Sequence, residues 1–250
     1  MQSWIKVEYV VCAALLIAAT AIGLFTRGST AERSICLSAS LQFADGDVSG
    51  CITQAEAKHL LDRTLALGEN RDKDGVALTH PKDMRQHRQV TTCRLYDELT
   101  SGGWYALTTY DMSMESFFNK ECALINALAK GSPARQSFIN EPRVGISDLD
   151  VVSAVVLKGF VPTGAGDATI GTLVRAGAVK VEEQGPRDLR LSGNGFTAEF
   201  EEMARGDFNG DGTEDIFVFS AIHAQGGTLR GYETRILSRA DLTAPLTIVD

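Results

Sequence analysis

The sequence predicts an α+β fold, in which a mainly helical half (about 34–131) precedes a mainly antiparallel β half (about 170–250). In the first half, apolar residues recur at the 3.6-residue period of a helix, most clearly in 113–131. In the second half they alternate with polar residues, as in strands that bury one face. A content of 44% hydrophobic and 22% charged residues is ordinary for a chain that forms a core.

The two halves meet in a polar, turn-rich segment, 132–142. We therefore divide the chain into three regions. They are an apolar leader, 1–31, a mainly helical region, 32–135, and a mainly β region, 136–250.

Three helices are expected in the first half. They span 54–67, 79–99 and a segment from Asp111 or Ser113 to Gly131. Thr53 and Glu56 have the spacing of a capping box before the first helix. Pro81 suits the first turn of the second helix, because that turn does not need its N–H. A short strand is expected within 104–109.

Strands dominate the second half, where glycine-containing turns separate short alternating runs. They are expected around 179–181, 189–191, 196–201, 216–222 and 232–236. The run 216–222 is apolar on both faces, which predicts a central strand. The apolar, β-branched segment 146–161 is compatible with either a helix or a strand.

The N-terminus carries an apolar run, 9–25, that follows Lys6. Such a run indicates a secretion signal or a membrane anchor, and both interpretations remain open. Ser29 and Ala31 place small residues where a signal peptidase would need them for a cut after Ala31. Either interpretation predicts an extracytoplasmic protein, which is periplasmic, secreted or anchored to the membrane by residues 9–25.

The chain is acidic, with a formal net charge of −8. This charge argues against nucleic acid or an anionic membrane surface as a partner, and it suits cation binding. Contact with a membrane is expected only through the N-terminal segment, if that segment is uncleaved. The expected partner is another protein or a component of the cell envelope.

Four cysteines, Cys36, Cys51, Cys93 and Cys122, lie outside the apolar run. An even number of cysteines in an exported domain predicts two disulfides, and sequence alone allows three connectivities. Cys122 lies on the inner face of a predicted helix, within reach of the helix that carries Cys93. We therefore favour the pair Cys93–Cys122, which leaves Cys36 with Cys51.

An acidic loop lies between the predicted strands 196–201 and 216–222. Its oxygen-bearing residues at positions 1, 3, 5, 7 and 9 are Asp207, Asn209, Asp211, Thr213 and Asp215, with Thr213 contributing its main-chain carbonyl. Five oxygen ligands in one tight turn suit a hard cation, so the spacing predicts a calcium site. The alternative is an Asx-type turn that is acidic for reasons of backbone geometry.

The segment D-x-N-x-D-G-x-x-D at 207–215 resembles the calcium loop of integrin-type (FG-GAP) and related bacterial repeats. In those repeats, carboxylates at positions 1, 3, 5 and 9 hold calcium inside a β-hairpin. The resemblance covers Gly206 to about Val218. The repeats recur several times to build a propeller, whereas this chain has one copy, so a propeller is not implied and no family is recognised for the whole chain.

A second acidic stretch, 45–56, resembles an EF-hand loop. Its residues at ligand positions 1, 3, 5, 9 and 12 are Asp45, Asp47, Ser49, Thr53 and Glu56. The entering helix would be short and lie within 34–43. The alternative is that Glu56 caps the helix that begins at residue 54. A third acidic turn, 70–75, has Pro81 at position 12 and is treated as a turn.

No catalytic motif of the G-x-S-x-G, H-E-x-x-H, P-loop or dinucleotide-binding type occurs in a suitable context. The sequence therefore predicts an exported, calcium-binding structural or protein-interaction module of the cell envelope, with calcium as its cofactor. The alternative is an extracytoplasmic hydrolase with structural calcium. Its carboxylate pair would come from Glu199, Glu201, Glu202 and Asp207.

Overall fold

The computed structural model of the protein describes residues 34–66, 75–140, 143–161, 168–226 and 230–249. The predicted leader, 1–31, and residues 70–74 of the third acidic turn lie outside these ranges. Ser34–Asp250 forms one compact unit. Strands account for 41% of the structure and helices for 24%. The prediction of a helical half is therefore wrong, because the structure is mostly β and its helices are few.

Eleven strands and five helical segments occur in the described ranges. The strands are β1 (Ile35–Leu37), β2 (Cys51–Ile52), β3 (Val76–His80), β4 (Asp83–Val90), β5 (Tyr105–Ala106), β6 (Val179–Gln184), β7 (Asp188–Gly193), β8 (Phe196–Gly206), β9 (Asp215–Ala224), β10 (Arg230–Ser238) and β11 (Thr247–Val249). The helices are α1 (Gln54–Leu60), α2 (Cys93–Ser101), α3 (Thr109–Lys130) and α4 (Ile170–Arg175), with a 3₁₀ helix at Ala154–Leu157.

The main sheet is antiparallel and has eight strands within the described ranges. On one side of β8 the order is β9, β10 and β11. On the other side, β7 pairs with the first part of β8, and β1 pairs with its end at Ala204 and Arg205. Two hairpins, β6–β7 and β1–β2, therefore share this edge of β8. A separate three-stranded sheet has the order β4, β3, β5.

The main sheet separates two hydrophobic cores. Along β9, Ile216 and Val218 face one core, which includes the segments between 139 and 161 and helix α4. Phe217, which lies between them, faces the other core, formed with α1, α2, α3 and the small sheet. β9 also pairs with β8 on one edge and β10 on the other. The prediction that 216–222 forms a central strand is therefore confirmed.

Helix α3 is the longest helix in the described ranges and packs on the main sheet. It begins after Thr108, whose hydroxyl accepts from the Asp111 amide at 3.1 Å, and it ends at Gly131. Phe118, Cys122 and Ile125 are buried on one face, as the helical spacing predicts. The predicted helix is confirmed, and its N-cap lies a few residues earlier than expected.

The predicted helix over 79–99 is wrong in its first part. Residues 76–90 form the hairpin β3–β4, and the helix α2 begins only at Cys93, after the N-cap Thr92. Val76 and Leu78 are fully buried with the two-residue period of a strand. β4 is an edge strand, exposed along most of its length. Its Arg, Gln and Met residues have good helix propensity, but propensity is a weak determinant of structure and pairing with β3 overrides it.

The segment that precedes the EF-hand-like loop is also a strand. Residues 34–43 contain β1 and an antiparallel bridge between Leu41 and Val48, so the predicted entering helix is wrong. Cys36 lies directly opposite Cys51 in the β1–β2 pair. Helix α1 begins after Thr53 as predicted, but it ends at Leu60.

Both disulfides have the connectivity that we favoured. Cys36 bonds Cys51, with the Cα atoms 3.9 Å apart, and Cys93 bonds Cys122, with the Cα atoms 5.1 Å apart. Cys36 in an entering helix would lie too far from Cys51 for a disulfide, whereas the pairing of β1 with β2 places the two residues opposite each other. Two disulfides are consistent with an extracytoplasmic location. None of the helices in the described ranges combines the length and the apolar character that a membrane span requires.

Glu121 on α3 makes the stability of the protein dependent on pH. Its burial raises the pKa of this carboxyl from 4.5 to about 7; the Lys120 charge opposes the rise and the Glu201 charge adds to it. A carboxyl with a raised pKa stabilises the folded state fully only below its unfolded pKa, and this contribution is lost as pH rises through about 7.

We therefore expect Glu121→Gln to stabilise the protein at pH 8, by an amount on the order of 2 kcal/mol, and to have little effect at pH 4. Thermal melts of both proteins at the two pH values measure this difference. Glu98→Gln, an exposed change on α2, serves as the control and is expected to shift Tm equally at both pH values. A Glu121→Gln shift that does not depend on pH would contradict the expectation.

Candidate metal centre

The acidic loop connects β8 to β9, the two central strands of the main sheet. The last cross-strand pair before it is Gly206 with Asp215. Two of its carboxylates are buried, because Asp207 is 4% exposed and Asp215 is fully buried. Asn209 and Asp211 are exposed at the mouth of the loop. The fold therefore places two carboxylates inside the loop and two further oxygen-bearing side chains at its entrance.

Asp207 organises the turn through both carboxylate oxygens. Its Oδ1 accepts from the amide of Gly210 at 2.7 Å, and its Oδ2 accepts from the amide of Gly212 at 2.9 Å. Oδ2 also accepts from the hydroxyl of Ser132 at 3.1 Å. Both glycines have a positive φ, 84° and 87°, which residues that carry a side chain rarely adopt. This inward-facing carboxylate therefore fixes the sharp bend of the loop.

Asn209 and Asp211 are joined by their own hydrogen bonds at the mouth. The Asn209 side-chain oxygen accepts from the Asp211 amide, and its Nδ2 donates to Asp211 Oδ2, both at 3.0 Å. Asp211 Oδ1 accepts from the Thr213 amide at 2.6 Å. Burial acts to raise the pKa of Asp211, but the bonds from Thr213 and Asn209 outweigh it and lower this pKa. Asp211 is therefore held as a carboxylate.

Asp215 reaches back across the loop. Its Oδ2 accepts from the amides of Phe208 at 2.9 Å and Asn209 at 3.3 Å, whereas its buried Oδ1 has no hydrogen-bond partner. Burial raises the pKa of this carboxyl, and the Asp211 charge adds to the rise; the Ser238 hydroxyl and the amides of Phe208 and Asn209 oppose it. A buried carboxylate oxygen without a partner is costly, and it marks a position that a cation would stabilise.

Residues 132–136, which belong to the polar segment predicted between the two halves, are hydrogen-bonded to the loop. Ser132 and Asp207 exchange two main-chain hydrogen bonds, both 2.9 Å long. The Gln136 amide donates to the Gly212 carbonyl at 3.1 Å, and its side chain donates to the Thr213 hydroxyl at 3.2 Å. Sequence reasoning missed Ser132 and Gln136, because no spacing pattern connects them to a loop about 75 positions away.

The donor atoms of the loop determine which metal ion it could hold. Among the residues that the structure describes, no three His, Cys, Asp or Glu side chains are grouped as around a bound metal. Both carboxylate oxygens of Asp207 accept hydrogen bonds, from two amides and a hydroxyl. The loop still offers a purely oxygen set, which fits a hard cation such as calcium and does not fit zinc. The residues that would hold calcium are Asp207, Asn209, Asp211, the Thr213 carbonyl and Asp215.

The EF-hand-like loop has other partners. Arg63 bonds the carboxylate of Asp45 at 2.6 Å and the Gly46 carbonyl at 2.8 Å. The Glu56 carboxylate accepts from the Thr53 amide at 2.7 Å, and the Glu56 amide donates to the Thr53 hydroxyl. These two hydrogen bonds complete the capping box. Asp47 and Ser49 lie on the exposed surface. These contacts agree with the capping alternative, and calcium at this loop stays a prediction.

The carboxylates that a hydrolase would need are divided among different environments. Glu202 is fully buried and bonds Arg205, while Asp207 lies in the acidic loop. Glu199 and Glu201 lie on the surface of β8, where Arg190 and Lys120 bond them at 3.0 and 2.6 Å. The four acids therefore do not form one site, because Glu202 and Asp207 lie apart from the surface residues Glu199 and Glu201.

Comparisons of the chain with protein-family models, with curated proteins and with solved structures find no match. The similarity of residues 206–218 to the FG-GAP calcium loop is therefore a local one. Function is inferred from the geometry of the site.

Proposed function

We propose that the protein is a disulfide-stabilised extracytoplasmic module of the cell envelope, in which loop 207–215 binds one structural calcium ion. The observation that supports this proposal is the buried, unpartnered Oδ1 of Asp215, which lies in the same loop as the carboxylates of Asp207 and Asp211. The module has a structural or protein-interaction role and no catalytic one.

The electrostatics of the loop favour a cation. Asp207, Asp211 and Asp215 place three carboxylates within nine residues, and the charge of Asp211 already disfavours ionisation of Asp215. A bound divalent cation relieves this repulsion and supplies a partner for the buried Oδ1. Calcium accepts six to eight oxygen ligands at flexible geometry, which suits a loop of side-chain and main-chain donors.

The position of the loop defines what the cation would stabilise. It joins the two central strands of the main sheet, and it is bonded to Ser132 and Gln136 through Asp207 and Thr213. Calcium would therefore fix the β8–β9 junction and the segment after α3 to each other. A rigid junction of this kind suits a module that presents a surface to a partner.

Asp211→Ala tests the site, because Asp211 is exposed and its loss leaves the core intact. At a calcium concentration 100 times Kd, the ion stabilises the wild type by about 2.7 kcal/mol. We expect Asp211→Ala to lose most of this gain and to melt close to the wild type in chelator. Melting curves in calcium and in chelator measure both effects.

Asp241→Ala provides a matched control, because Asp241 is also exposed and accepts amide hydrogen bonds, from Thr243 and Ala244, within a turn. Its Tm should fall equally with and without calcium. An equal fall for Asp211→Ala would show that loop 207–215 is only a turn. A calorimetric titration should give one site, and Glu56→Gln should leave that stoichiometry unchanged.

A further inference from the structure

One face of the main sheet carries an ordered set of charged and aromatic side chains beside α3. Directly opposite residues on neighbouring strands project to the same face. One row across β7, β8, β9 and β10 is Asp188, Glu201, Phe219 and Thr234. The adjacent row is Arg190, Glu199, Ala221 and Tyr232. We call these eight residues the acidic face.

The acidic face already holds one cation of the protein itself. Lys120 of α3 places its ammonium 5.0 Å from the centroid of the Phe219 ring and 2.6 Å from Glu201 Oε2. A cation between an aromatic ring and a carboxylate gains from both interactions. The first row therefore shows which chemistry this face recognises.

The second row also combines an aromatic ring with an ion pair, because Arg190 Nε lies 3.0 Å from Glu199 Oε1. Tyr232 is 44% exposed and stacks on Phe219, with centroids 6.2 Å apart and planes 15° apart. Ala221, which lies between Tyr232 and Glu199 in the row, is buried, so these two residues border different parts of the face. Two strand spacings put them about 10 Å apart, a distance that one extended segment spans.

Two hollows lie on this face and share Phe219 as a wall. The first, about 190 Å³, is lined by Asp188, Arg190, Glu199 and Glu201. The second, about 420 Å³, lies between α3, at Asn119 and Lys120, and the strands that carry Tyr232 and Thr234. A row of hollows suits an extended chain that crosses several strands, with alternate side chains pointing into the sheet.

The charges around these hollows favour a cationic ligand. Five acids line the two hollows together with only two bases, Arg190 and Lys120; the acids are Glu183, Asp188, Glu199, Glu201 and Glu233. We propose that the acidic face binds a lysine- or arginine-bearing extended segment of a partner protein, which crosses both hollows and places its cationic side chains beside Tyr232 and Glu199. This surface is separate from the calcium loop, and its function does not depend on the bound ion.

Fluorescence anisotropy tests this proposal with a fluorescein-labelled octapeptide that alternates lysine and threonine. The full chain, with both disulfides intact, is kept in solution with a non-ionic detergent. We expect saturable binding in calcium and in chelator alike. Tyr232→Ala should weaken binding about fivefold, and Glu199→Gln by a similar factor. A peptide with glutamate in place of lysine should not bind.

Two further variants separate recognition from damage to the fold. Tyr232→Phe keeps the ring and should bind like the wild type. Tyr110→Ala removes a tyrosine that is 57% exposed elsewhere on α3, and it should also bind like the wild type. The proposal is overturned by absence of lysine-peptide binding, or by binding that neither Tyr232→Ala nor Glu199→Gln weakens. A neutral hexasaccharide that binds through Tyr232 when the lysine peptide does not would overturn it too, and would identify a sugar platform.

Discussion

Truncating either Glu202 or Arg205 to alanine is expected to cost about 3–5 kcal/mol of stability, because each change leaves one uncompensated buried charge. Glu202 is fully buried and Arg205 is 6% exposed. Two hydrogen bonds join the side chains, from Nε to Oε1 at 2.7 Å and from Nη2 to Oε2 at 2.8 Å. Both residues lie on β8, at the bulge where its pairing with β9 shifts register.

The pair also connects distant parts of the chain. Arg205 donates to the carbonyls of Ile139 at 3.3 Å and Val144 at 2.8 Å. Glu202 accepts from the hydroxyl of Ser38 at 3.0 Å. Loss of either charged side chain therefore removes contacts between β8, the end of β1 and the segment 139–144, in addition to the ion pair.

Urea unfolding of Glu202→Ala, Arg205→Ala and the double variant Glu202→Met/Arg205→Met measures these costs. Replacing both members by apolar side chains leaves no unpaired charge, so the double variant should lose less stability than either single variant. Additive losses would contradict this account, because they would mean that the two side chains act independently.

The second half of the fold was largely predictable, because the period of its apolar residues is local information. The alternating run 196–201 lies within β8, and the doubly apolar run 216–222 lies within β9, the central strand. The helix α3 was equally visible from its spacing. In each case, burial selects residues at a period that neighbouring positions reveal.

The first half was not predictable in the same way. β1 and β2 are strands because they extend the edge of β8, and Ser38 bonds Glu202 from 164 positions away. The hairpin β3–β4 contains an exposed strand whose composition does not oppose a helix. Such elements are determined by pairing partners that are distant in sequence or by edge position, and local propensity does not report either one.

The candidate metal site was likewise predictable only where its residues are close together in the sequence. The spacing of Asp207, Asn209, Asp211 and Asp215 was visible in the sequence, and the structure gathers them in one loop. The hydrogen bonds from residues 132–136 to the loop could not be predicted, because they depend on where the chain runs after α3. At the EF-hand-like loop, the same residues satisfy two motifs, and the structure forms the capping box. The acidic face depends on register across four strands, which no sequence pattern reveals.

Removing the disulfide Cys93–Cys122 is expected to cost about 3–4 kcal/mol. The bond closes a chain segment with a sequence separation of 29, and the entropy of such a loop in the unfolded state gives a cost of this size. Both sulfur-bearing residues are also buried in the core between α2 and α3, with exposures of 0% and 1%. Alanine replaces each cysteine in the test, so that no hydroxyl is buried.

The disulfide Cys36–Cys51 supplies the matched comparison, because its sequence separation is 15 and Cys51 is exposed. The shorter loop predicts about 3 kcal/mol for Cys36→Ala/Cys51→Ala, with no added core defect. Urea unfolding of both double variants should therefore place Cys93→Ala/Cys122→Ala at the lower midpoint. The reverse order would mean that the hairpin β1–β2, at the edge of β8, depends on its disulfide more than the helical core does. It would also mean that the entropy of the unfolded chain is not the main origin of the stabilisation.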